Sequence, residues 1–144
     1  MRAFGRITKM THINEQIPPV NFKTPNTVEN MISAVKTFLS LLQPNQRAQA
    51  IFPFEIDERY EWAYTPIDRN GLKVEHMSAI QKSAAWKVLE TGYSERAQIT
   101  AQEIIALEDV LGEWESIQNE IPHWERSTER YWFSVFGNPG SKKP

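Results

Sequence analysis

The sequence contains no cysteine. That absence removes disulfides, thiol nucleophiles and thiolate metal sites together, and it fits a reducing compartment. A cytoplasmic location is expected on that ground. No stretch approaches the roughly 18 consecutive apolar residues that a membrane span needs, so no membrane partner is expected. A formal charge of −2 provides no strongly basic face for nucleic acid, and no nucleic-acid partner is expected either. The dinucleotide G-x-G-x-x-G, the phosphate-binding G-x-x-x-x-G-K-S/T and the G-x-S-x-G elbow are all missing. His12, His76 and His123 lack the close spacing by which zinc sites announce themselves. The expectation is therefore no metal and no cofactor.

What remains is ordinary for a folded chain. With 144 residues, 40% hydrophobic and 24% charged, one domain with a real core is within reach. Arg2, Arg6 and Lys9 interleave with Phe4, Ile7, Met10 and Ile13, and no acid precedes Glu15. This pattern reads as a weak basic amphipathic targeting segment, a basic tail, or an early start ahead of Met10. Pro18, Pro19 and Pro25 break the polar stretch that follows. Residues 1–26 together read as an extended, disordered leader.

The first helix is predicted over 27–42. Asn26 can cap it with Glu29 completing a capping box, and Val28, Met31, Ile32, Val35, Phe38, Leu39 and Leu42 keep helical spacing. A short helix over 45–50 follows Pro44, then an extended Ile51-Phe52-Pro53-Phe54, because Pro53 biases Phe52 to the β region. Aromatic alternation over 59–65 predicts a strand, at an edge or an end because of Pro66. Asp68-Arg69-Asn70-Gly71 reads as a turn. Ser78 and Gln81 form a second capping box, opening a helix to Thr91 with Gly92 as its left-handed C′ residue.

Ser94 caps a long helix over 95–121, stopped by Pro122. At about 100° per residue, Ala97, Thr100, Ile104, Leu107, Val110, Leu111, Trp114, Ile117 and Ile121 share one arc, predicted to be core. Seven acids stand there against Arg96 alone, and Glu103 and Glu108 flank the stripe. Residues 131–136 read as an aromatic strand, and 138–144 as a flexible tail. The fold class is α+β and predominantly helical, with three main helices and two or three short strands. The three helices should pack through their apolar stripes, and strands 59–65 and 131–136 should pair. So apolar a strand near the end of the sequence predicts the front portion of something larger, or a homodimer formed through that strand.

Four features carry candidate chemistry. Glu108 beside an apolar stripe could act as a catalytic acid or base, its pKa raised by desolvation. The competing reading is a structural ion pair with an arginine such as Arg47, Arg59 or Arg69 at the rim of the core. Arg59, Trp62, Tyr64 and Arg69 mix aromatic platforms with guanidinium donors, a set suited to binding sugars, nucleotides or carboxylates, or simply an aromatic strand with solvated arginines. His76 follows Glu75 as a loop histidine that could transfer a proton. Trp86, Trp114, Trp124 and Trp132 read as core and rim packing.

Several of these motifs together resemble one family. Gln46-Arg47-Ala48, Phe52-Pro53-Phe54, Glu58-Arg59 with Trp62-x-Tyr64-x-Pro66, and Gly71-Leu72 with Met77-Ser78 are similar to signatures of domain of unknown function 3500. So are Ala106-Leu107-Glu108-Asp109-Val110-Leu111 and Arg130-Tyr131-Trp132-Phe133-Ser134-Val135-Phe136-Gly137. The resemblance spans about Val28 to Pro139. It implies no activity, because the family is uncharacterised. It does imply that similar proteins continue past Phe-Gly into a tryptophan-rich strand and a Gly-His-His segment. The expectation is then a truncated, non-catalytic member acting as a binding or structural module. The alternative is an enzyme, a hydrolase for instance, using Glu108 with Arg59, Tyr64 and Arg69 around one pocket.

Overall fold

A computed structural model of the chain describes residues 26–63, 67–118 and 125–141. Four helices, α1 (Thr27–Ser40), α2 (Pro44–Ala50), α3 (Ala79–Gly92) and α4 (Glu95–Ile117), dominate it. Four two-residue strands complete the frame: β1 (Ile51–Phe52), β2 (Leu72–Lys73), β3 (Trp132–Phe133) and β4 (Val135–Phe136). The chain is a mostly helical α+β protein.

The helix boundaries follow local chemistry, with two corrections. Ser78 and Gln81 make their reciprocal capping box, and Ser94 Oγ accepts from Ala97 N at 3.3 Å. Pro44 opens α2 as its first residue, where a missing N–H costs nothing. Asn26, by contrast, sits left-handed at φ 79 and its side chain caps nothing. The predicted box at Glu29 therefore does not form. Gly92 is no left-handed C′ residue either, but the last residue of α3 itself. Its lack of a side chain serves packing: a Cβ there would lie 3.3 Å from Met31 Cε on α1.

The strands are where prediction and structure part most clearly. No strand covers the described part of 59–65; residues Asp57–Tyr60 form a 3₁₀ turn instead. The predicted strand 131–136 is split at Ser134. Its first half pairs antiparallel with β2, Leu72 opposite Phe133 and Lys73 opposite Trp132. Its second half pairs parallel with β1, Ile51 opposite Val135 and Phe52 opposite Phe136. The terminal aromatic segment thus has a partner at each half, in place of the expected pairing with 59–65. Gly71, at φ +125, makes the β2 approach feasible: a Cβ there would sit 2.5 Å from Ser134 Oγ and 3.0 Å from Phe133 O. Ser134 Oγ donates to Asn70 O at 3.0 Å, closing the same junction.

The core lies between α1, α3 and these strands. Phe38, Leu39 and Leu42 from α1 meet Ala50, Leu72, Met77 and Ala85, and the Phe38 ring stacks tilted on Phe133 at 5.7 Å. Burial favours only the second half of the α1 stripe, since Val28 and Met31 are exposed. Gln81 is the buried polar side chain among the described residues, and it is fully occupied. Its amide donates to Leu41 O (2.8 Å) and Gln46 Oε1 (2.8 Å), while its Oε1 accepts from Ser78 N (2.8 Å) and Gln46 Nε2 (3.1 Å). Gln46 also caps α2 through Gln43 N (2.9 Å) and donates to His76 O (2.7 Å). Two helix starts and the end of α1 are tied by one satisfied amide pair. Such a network rigidifies because every alternative leaves a buried polar group unpaired.

The predicted packing of α4 is overturned. Among the described residues none of α4 is buried. The half-buried positions are Ala97, Gln98, Ala101, Ile105, Glu108, Gly112 and Glu115, an arc of mostly small and acidic residues with one isoleucine and one glutamine. Ile104, Leu107, Val110, Leu111, Trp114 and Ile117 all point to solvent. Trp114, expected in the packing, is 54% exposed. Residues 138–141, the start of the expected tail, run against α1, where a Cβ on Gly140 would sit 3.1 Å from Ile32 Cγ2.

Candidate functional site

A cavity of about 440 Å³ opens beside the core, between α1, α3 and the 131–135 segment. Val35 and Phe38 line it from α1, Trp86 and Leu89 from α3, and Trp132 and Phe133 from the strands. Helical spacing places Trp86 and Leu89 on one side of α3, and the pleat at β3 sets the aromatic wall opposite. From α4 only Ile105 reaches it. The polar groups at its edge are few. Lys82 ion-pairs with Glu129, so its charge is already matched. Thr128, Ser134 and Tyr131 contribute hydroxyls.

Tyr131 links the cavity to α4. Burial first, then the charge of Glu108 and a hydrogen bond to it, hold the phenol protonated above the usual tyrosine range. Glu108 in turn faces Arg126, whose Nη1 lies 3.5 Å from its Oε2. Arg126 grips Glu115 more closely, Nη2 to Oε1 at 2.8 Å, and that hydrogen bond is the main reason its pKa is raised. Gly112 lets this happen, because a Cβ there would lie 3.3 Å from Arg126 Cβ. The small-and-acidic arc of α4 is therefore what seats the helix. Arg126, rather than Arg47, Arg59 or Arg69, is the arginine that pairs with Glu108. Its signal in the sequence was faint: one basic residue following an acidic helix.

The other candidate residues lie elsewhere. Arg59 stacks over the Phe54 ring at 3.9 Å and donates to the Tyr60 hydroxyl. Arg69 Nη2 donates to Ala63 O at 3.0 Å. Trp62 is largely exposed. Tyr64 lies outside the described residues. Trp62 and Arg69 share a shallow cavity of about 380 Å³ with Asp57, Glu58, Glu61 and Asp68. Neither Arg59 nor Glu108 is among the described residues that line it. The structure therefore brings Trp62 and Arg69 together, and separates both from Glu108. His76 is exposed and offers its backbone oxygen to Gln46; His12 and His123 lie outside the described residues. Among the described residues no cluster of three or more His, Asp or Glu is placed to hold a metal ion. No helix among them is long and apolar enough to cross a membrane.

A helical α+β frame with an aromatic-walled apolar cavity is the class of protein this architecture defines. The chain belongs to the family described as protein of unknown function (DUF3500), which it matches over residues 24–144. Neither a curated protein nor a solved structure matches it.

Proposed function

We propose that the chain is a non-catalytic binding module whose receptor site is the cavity between α1, α3 and the 131–135 segment. The observation that carries this reading is the character of its walls: Phe38, Trp86, Trp132 and Phe133 with only a few polar groups at the edge. Small-molecule sites are typically concave, apolar and aromatic, with few polar groups to fix orientation. Because Lys82 is already neutralised by Glu129, the preferred ligand is uncharged, flat and mostly apolar. The hydrolase alternative has weaker support. It needs Glu108 to converge with Arg59, Tyr64 and Arg69, whereas Glu108 is held by Arg126 and Tyr131.

Titration with 1-aminoanthracene, a neutral fluorescent aromatic, tests the proposal. The expected result is saturable binding of one molecule per chain, lost when Val35→Trp fills the cavity. Circular dichroism of the variant separates a filled cavity from a lost fold. Unsaturable binding, or binding unchanged by Val35→Trp in a folded variant, would overturn it.

A further inference from the structure

The exposed stripe of α4 is the largest unexplained feature of the surface. Ile104 is 55%, Trp114 54% and Ile117 76% accessible, on a helix that has turned its small-and-acidic arc to the body. Contiguous apolar surface of this kind marks an interaction face. Its rim carries the charge signature of the occupant. Glu103 and Glu113 are exposed and make no ion pair among the described residues, and Arg96 is the helix's lone base. A second copy of α4 would set acids against acids. The complement is a segment that is apolar and basic.

This chain contains one. Phe4, Ile7, Met10 and Ile13 recur at every third position, with Arg2 ahead of them, Arg6 and Lys9 between them, and no acid before Glu15. These residues lie outside the described ones. We propose that residues 2–13 of the same chain cover the α4 stripe, their bases meeting the acidic rim. The tether permits it. Met31, in the second turn of α1, touches Gly92 at the α3–α4 junction, so the leader joins the body near the start of α4. The connector of residues 14–26 can span about 45 Å extended, and α4 is about 35 Å long. Tethering raises the local concentration of the segment to about the millimolar range. Modest pairwise attraction is then enough to keep the stripe covered. The contacts with the acidic rim are charge contacts at the surface, and salt screens them within about 10 Å.

Amide hydrogen exchange over residues 104–117 tests this, in the full chain and in a chain lacking residues 2–13. Removing the segment should speed exchange there about tenfold, as expected for uncovering a helix face. A synthetic peptide of residues 1–14, added in excess, should restore the slow rate. The full-length variant Arg2→Glu/Arg6→Glu/Lys9→Glu should behave like the shortened chain, and it carries the comparison if the shortened chain fails to fold. Equal exchange in all these proteins would overturn the proposal. Protection that grows with protein concentration would overturn it too, in favour of a second copy on the stripe. The exchange at 104–117 is read without 1-aminoanthracene, so its outcome is independent of the cavity.

Discussion

The α1–α3 side and the α4 side of this molecule use hydrophobic residues in opposite ways. On the first, Phe38, Leu39 and Leu42 are buried against Leu72, Met77 and Ala85, and the Gln46–Gln81 amide pair locks the helix starts. On the second, the largest apolar residues face solvent, and alanine, glycine and carboxylates paired to Arg126 face the body. Apolar periodicity identifies a face that can be buried. It does not identify which neighbour buries it. Where two arcs of one helix can both pack, close approach and ion pairing decide which is turned inward.

Substitutions on the two sides should differ accordingly. The largest effect is expected at Phe38, which is 1% exposed and touches the Phe133 ring. Phe38→Ala should cost about 3–5 kcal/mol, the transfer loss plus the cavity left behind, read as a lower urea midpoint. Gln81→Ala should cost about 1–3 kcal/mol, because Gln46 is left without its buried partner. The double variant Gln46→Ala/Gln81→Ala should cost less than the sum of the singles. A strictly additive result would mean that the amide pair does not act as a unit.

Tyr131 tests the hinge between the two sides. Its folded-state pKa stands above the ordinary value of 10.0, chiefly through burial and then through Glu108. A group raised in the folded state stabilises fully below its unfolded pKa, and that contribution is lost as pH rises through the folded pKa. The urea midpoint should therefore fall above about pH 10, and Tyr131→Phe should flatten that part of the profile. An unchanged alkaline profile in Tyr131→Phe would sever the link from α4 to the strand. The smallest effect belongs to the α4 stripe. In a chain lacking residues 2–13, Leu107→Ser should change stability by no more than about 0.5 kcal/mol, as exposed positions do. A loss of several times that in the shortened chain would show the stripe to be packed by something other than residues 2–13.

The four-helix frame was readable because capping and periodicity are local. Ser78 with Gln81, Ser94 ahead of α4, and Pro44 at the start of α2 all act within one turn of helix. The strands were not readable. Residues 59–65 look like a strand by composition, yet Asp57–Tyr60 wind into a 3₁₀ turn while Arg59 stacks on Phe54. The pairing of 131–136 depends on Ile51 and Leu72, far away in sequence and too short in their own strands to announce themselves. The site was half legible. Glu108 reads from the sequence as a carboxylate flanking an apolar stripe, but that stripe faces solvent, and the carboxylate's partners Arg126 and Tyr131 come from a segment with no regular pattern. Trp86 and Trp132, which their sequence context presents as packing residues, wall the cavity.

By itself the sequence determined the helices, the caps at Ser78 and Ser94 and the exclusion of cysteine chemistry, because each rests on residue type or on neighbours within four positions. Only the tertiary structure decided which arc of α4 turns inward, how 131–136 divides between two partners, and where a cavity is left open. Those outcomes depend on close approach at Gly71, Gly92 and Gly112 and on pairings across the chain. Such contacts arise from the packed shape, and no local pattern encodes them.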